Sequence, residues 1–128
     1  MDVQRIVKKV RMSKQDLVQY QILTELFMKK ISLNQSDIEL LTLLGLWGSL
    51  GLTEFCEKAA DIVYKDTPRV MARIQNVRNR LVILERKGLV VKESATKKKK
   101  IISLSDTISV LVTGDILLDY NMLSVDSN

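Results

Sequence analysis

Between Thr67 and Val91 the chain reads TPRVMARIQNVRNRLVILERKGLVV, and both ends of this stretch as well as its periodicity prescribe one amphipathic helix. A hydroxyl residue followed by proline predicts a start at Thr67 or Pro68, because proline at the first helical position is pre-set in φ and gives up only an amide that lacks an intrahelical partner. Gly88 predicts the stop, since glycine most easily takes the left-handed conformation that closes a helix, and the cations Arg86 and Lys87 just before it suit the negative end of the macrodipole. Such a helix has about twenty residues and a length of roughly 30 Å. Val70, Ile74, Val77, Leu81 and Leu84 recur at helical spacing and predict its core face.

The opposite face carries Ala72, Gln75 and Asn79, with Asn76 and Arg78 beside them and Arg69, Arg73 and Arg80 along one flank. No acid lies between Arg69 and Arg80. Amides and guanidinium groups are the donors that read adenine and guanine edges, and a small alanine among them allows close approach. An ordinary solvated helix face is the competing explanation, but such a face usually interleaves glutamate with its cations.

The charge distribution supports the same direction. The chain has a formal net charge of +5, and residues 65–100 alone hold twelve Lys and Arg against three Asp and Glu, whereas residues 101–128 hold four acids and no cation. A positive charge gathered on one segment suits a polyanion. With 128 residues the chain is expected to form a single domain with its own core. The single cysteine, Cys56, excludes an internal disulfide, and the absence of histidine removes the commonest metal ligand and general base. No nucleophile with a base and no metal constellation is visible, so neither an enzyme nor a metal or other cofactor is expected. No secretory signal or membrane-spanning run is apparent, and the expected location is the cytoplasm of a bacterium or phage-infected cell.

Elsewhere the pattern predicts the following order. Residues 1–12 mix Val3, Ile6, Val7 and Val10 with four cations and form either a strand or a basic arm. Ser13 with Asp16 three residues on predicts a capped helix to about Ile31, with Leu17, Val18, Ile22, Leu23, Leu26, Phe27 and Ile31 as a broad apolar stripe. Ser36 with Glu39 predicts a second start and a helix from about Asp37 to Trp47, and Gly45, Gly48 and Gly51 then break it into a turn. Thr53 is expected to cap a third helix over about Glu54 to Tyr64, separated from the long helix only by Lys65, Asp66 and Thr67. Two helices joined by so short a turn make a helix-turn-helix arrangement. Leu89–Lys92 and Ile101–Ser105 read as a hairpin whose tip holds Lys97, Lys98, Lys99 and Lys100. The tail is expected to form a second hairpin around Thr113–Asp115, with a helix through residues 116–123 as the alternative.

The succession SDIELLTLLGLW, LTEFCEKAADIVY, TPRVMARIQNVRNRLVILERKGLVVK, a lysine-rich turn and IISLS resembles the winged helix-turn-helix superfamily, in particular regulators of the multiple-antibiotic-resistance repressor type. The resemblance covers about residues 36–105 and is most specific at Leu52-Thr53 and at Val77, Leu81 and Leu84-Glu85-Arg86-Lys87-Gly88-Leu89-Val90. It implies a mainly α fold with small β content (α+β), the helix from Pro68 to Lys87 in a major groove and residues 95–100 as the wing on the backbone. Double-stranded DNA is then the expected partner and transcriptional regulation the expected role. Arg69, Arg73, Gln75, Asn76, Arg78, Asn79, Arg80 and Lys97 to Lys100 are its expected contacts. A homodimer or higher assembly through residues 13–31 and 106–128 is the further expectation. The alternative is a structural or assembly component, of a phage particle or a DNA-packaging or replication complex, that uses the same scaffold for protein contacts.

Overall fold

The computed structural model describes residues 2–10, 12–108, 110–112 and 116–124. Among these the order is β1 (Asp2–Val10), α1 (Lys14–Met28), α2 (Gln35–Trp47), β2 (Leu50–Gly51), α3 (Leu52–Val63), α4 (Val70–Arg86), β3 (Val90–Ser94), β4 (Lys100–Leu104) and β5 (Ile116–Ser124). The fold is mainly helical with a small three-stranded antiparallel sheet in the order β2-β4-β3, and a separate ribbon in which β1 pairs with β5.

Each helix end has a local cause. Ser13 accepts the Asp16 amide at 3.1 Å and starts α1 as expected. Its end comes earlier than Ile31, because Lys30 takes a positive φ of 57° and the Ile31 amide turns back to the Leu26 carbonyl. A lysine in the position glycine prefers gives no punctuation in the sequence. The cap of α2 is Asn34, whose side chain accepts the Asp37 amide at 2.8 Å, and not Ser36; the helix accordingly starts at Gln35. Likewise α3 begins at Leu52 behind Gly51 with no side-chain cap, in place of a Thr53 cap.

The long helix is also corrected at its start. It begins at Val70, two residues later than Pro68, and has 17 residues. Thr67 is held in a turn by its amide on the Tyr64 carbonyl, a residue before proline is disfavoured in the helical region, and Arg69 is still extended, at φ −91° and ψ 124°, as the N-cap. The other end matches the sequence: Gly88 has φ 76°, its amide meets the Glu85 carbonyl, and the Leu89 amide meets the Leu84 carbonyl. This pair of back-turning bonds satisfies the last carbonyls of the helix, with Leu84 and Leu89 both buried beneath it.

The core lies where α2, α3, α4 and the sheet converge. Leu40, Leu41 and Leu44 of α2 meet Phe55, Cys56, Ala59 and Ala60 of α3, Val77, Leu81 and Leu84 of α4, and Ile102 of β4. From the other side Val18, Ile22 and Leu26 of α1 close over α2. At Gly45 the approach is so close that a Cβ would stand 2.7 Å from Val18 Cγ1. Three members of the predicted apolar stripes stay outside this core: Leu23 is 43%, Val70 56% and Phe27 82% exposed.

Strand pairing departs from the sequence at two places. The turn expected between α2 and α3 contains β2, where Leu50 and Gly51 add to the free edge of β4 opposite Ile102 and Ile101. Residues 116–124 form a strand, not the alternative helix, but they pair with residues 2–10 in the register Asp2 to Ser124 through Val10 to Ile116, and not with residues 108–112. The Thr113–Asp115 turn proposed for a tail hairpin lies outside the described residues. Leu111 is held instead by Gln21 of α1, whose amide donates to the Leu111 carbonyl and accepts the Leu111 amide, both at 2.7 Å.

Candidate nucleic-acid interface

The packed part of α4 begins at Ile74, so its first turn projects with Val70 and Met71 in solvent. From there one face stays accessible along the helix. Met71, Gln75, Asn79, Val82 and Arg86 are exposed and Arg78 is half-buried among them. Glu85 is the one acid of the helix, and Lys92 of β3 stands 3.8 Å from its carboxylate. Gln75 Nε2 donates to Asn79 Oδ1 at 2.8 Å, linking the two amides across one turn of the exposed face.

Three of the expected DNA contacts are turned elsewhere. Arg80 Nε and Nη2 donate to Asp37 Oδ1 and Oδ2 at 2.8 and 2.7 Å, a two-point pair that ties α4 to the first turn of α2. Asp37 is only 1% exposed, and the bond to it holds the Arg80 guanidinium still more firmly protonated against the opposing effect of burial. Arg73 donates from Nε to the Thr67 carbonyl and lies 3.5 Å from Asp61, bracing the turn between α3 and α4. Asn76 is half-buried on the covered flank with Ala72. Arg69, at the helix N-cap, is exposed. The helix also enters solvent with no acid in its first turn and no side-chain cap, so its leading amides keep their partial positive charge.

All four lysines of the β3–β4 turn are exposed. Thr96 organises the turn: its hydroxyl accepts the Lys99 amide at 3.1 Å, and the Ala95 amide donates to the Lys99 carbonyl at 2.9 Å. Lys98, Lys99 and Lys100 line a cleft of about 260 Å³ against Gly51, Leu52 and Thr53, at the uncapped start of α3, with Glu54 as its one acid. The hairpin itself is the one expected, with β3 and β4 paired from Val90 opposite Leu104 to Ser94 opposite Lys100.

Cys56 lies behind this surface, fully buried. Burial pushes its thiol pKa up, against smaller lowering effects of the Arg78 and Lys92 charges. A buried thiol held neutral is a core residue, not a nucleophile. Among the described residues no group of three His, Cys, Asp or Glu side chains could hold a metal ion, and no helix is long and apolar enough to cross a membrane.

Sequence reasoning missed Met71, Val82 and Arg86 as members of the accessible face. Their signal was present, because they share the helical phase of Gln75 and Asn79, but only the polar residues of that phase were assigned to the face. Set against known protein families, curated proteins and solved structures, the chain finds no match.

Proposed function

We propose that the chain is a winged helix-turn-helix protein that binds double-stranded DNA and acts as a transcriptional regulator. In this reading α3, the turn through Arg69 and α4 form the helix-turn-helix, α4 lies in the major groove and the β3–β4 hairpin is the wing on the phosphate backbone. The observation that carries it is the exposed face of α4, which offers amides, cations and apolar groups while the helix's single acid is engaged by Lys92. Gln75 and Asn79 face the bases. Arg69, Arg78 and Lys97 to Lys100 take phosphates, and Arg73, Asn76 and Arg80 support the helix from behind. A protein with this role works in the cytoplasm of a bacterial or phage-infected cell.

Salt dependence tests the reading. If about six phosphates are neutralised, log K falls with log salt at a slope near −5, and replacing Lys97 to Lys100 together by serine flattens the slope to about −2. Fluorescence anisotropy with a labelled duplex gives both slopes. Tenfold or greater weakening is expected at low salt, with Trp47 fluorescence unchanged because the four side chains lie in solvent. An unaltered slope would remove the wing from the interface.

A second reading has its own observation. On α1, Tyr20, Leu23, Phe27 and Met28 are 42, 43, 82 and 73% exposed, and Leu111 beside Gln21 is 71% exposed. Apolar groups gathered in this way mark protein contact. For a DNA reader the fitting occupant is a second copy of the chain, since paired helix-turn-helix units bind paired half-sites. For an assembly component it is another protein of a particle or packaging complex. Light scattering with and without duplex separates them: a multimer indifferent to duplex favours assembly.

A further inference from the structure

We infer that α4 is built to read an adenine and a nearby thymine, with Gln75 on the adenine edge, Asn79 as the residue that positions it, and Met71 on the thymine methyl. This rests on the proposed entry of α4 into the major groove and specifies what it finds there.

An amide can hydrogen-bond adenine at two points only if its oxygen accepts from N6 while its nitrogen donates to N7. Gln75 Nε2 carries two hydrogens, and one is taken by Asn79 Oδ1 at 2.8 Å. The remaining N–H and the whole of Oε1 stay available on the same planar group. The bond to Asn79 also removes rotational freedom from an exposed side chain before any duplex arrives, which lowers the cost of ordering it on binding. A lone exposed glutamine has no such restraint. Asn76, the third expected base reader, lies on the half-buried flank and takes no part.

Met71 stands one turn ahead of Gln75 in the same phase and is 76% exposed, in a turn that no core residue covers. A flexible apolar thioether is costly to leave in water and adapts to an irregular apolar contact. In the major groove the apolar feature on offer is the C5-methyl of thymine. Four residues of helix advance about 6 Å, which is a little under two base-pair steps of about 3.4 Å. The thymine is thus expected within two steps of the adenine that Gln75 reads.

The test uses the full chain and a duplex library with a randomised centre, from which bound molecules are sequenced. The wild type is expected to enrich an adenine with a thymine within two positions. On the enriched duplex, 7-deazaadenine at that adenine removes N7, and uracil at that thymine removes the methyl. Each change is expected to weaken wild-type binding by roughly five- to tenfold, the lower part of the range for a base contact. Gln75→Ala should lose sensitivity to 7-deazaadenine alone, and Met71→Ala to uracil alone. Asn79→Ala should blur the adenine preference, while Asn79→Asp, which keeps an acceptor for Gln75, should retain the preference and bind all duplexes more weakly. Salt-dependent binding with no adenine preference, or a preference that survives Gln75→Ala, overturns this inference and leaves DNA binding standing. Failure to bind any duplex at low salt overturns both.

Discussion

Replacing Arg80 with alanine leaves the Asp37 carboxylate, 1% exposed, without either of its guanidinium donors. Breaking a buried ion pair by removing one partner costs about 3–5 kcal/mol, because the charge left behind is neither paired nor hydrated. The Arg80 side chain is itself 29% exposed, so water can reach part of the vacated space, and the lower end, about 3 kcal/mol, is the expected loss. With a urea slope of about 1.5 kcal/mol per molar, the midpoint should fall by about 2 M. Asp37→Ala should cost less, about 1–2 kcal/mol, because the stranded guanidinium can turn into solvent. The double replacement Asp37→Leu with Arg80→Met should return most of the loss, since apolar groups of similar volume remove the desolvation problem altogether. Trp47 is the reporter, the chain's one tryptophan, packed edge-on to Phe55 at 5.7 Å with Lys58 Nζ 4.7 Å from its ring centroid. An Arg80→Ala midpoint within 0.5 M of wild type, roughly a quarter of the expected shift, or an Asp37→Ala loss larger than that of Arg80→Ala, would refute the account. If the chain binds duplex as proposed, the same double variant should bind it within about threefold of wild type, less than 1 kcal/mol, because Arg80 is turned to Asp37 of α2.

Two further outcomes follow from the core. Gly45→Ala usually favours a helix by about 0.5–1 kcal/mol, but here the new methyl meets Val18 Cγ1 at 2.7 Å and Val110 Cγ2 at 3.3 Å. Overpacking of about 1–3 kcal/mol should win, lowering Tm by several degrees in a calorimetric scan; an unchanged or raised Tm contradicts that packing. Burial raises the pKa of Cys56, and of Tyr64 with it, so the folded state keeps these protons longer than the unfolded state does. The resulting stabilisation is complete below about pH 8.5, where the unfolded thiol begins to ionise, and is lost as pH rises through the folded value. Urea midpoints measured from pH 7.5 to 10 should therefore decline in the wild type and begin to decline later in Cys56→Ala, near the phenol range. Identical profiles would rule out the thiol as the cause.

What could be read from the sequence was what is written locally. Gly88 after Arg86 and Lys87 marks a helix end whose cap forms as expected, Ser13 marks a start, and the run of lysines between two β-branched segments marks a hairpin. What could not be read depended on distant residues. Arg80 and Asp37 are 43 positions apart, and nothing in helical periodicity distinguishes an arginine bound to a buried carboxylate from one facing a ligand. Val70 and Met71 fit or adjoin an apolar stripe, yet the packed body stops at Ile74 and leaves them in water. Ser36 with Glu39 resembles the start of α2, yet Asn34 two residues earlier is the residue whose side chain accepts the Asp37 amide.

The pairing of residues 2–10 with 116–124 makes the body a closed circuit. Roughly a hundred residues of chain run between the two strands, so this ribbon zips only after the loop it bridges has been drawn in by the helices. Deleting either strand would therefore do more than shorten the molecule. It would strand nine residues of ready-made β template without their mate, and precipitation of such a fragment would say nothing about the health of the helices.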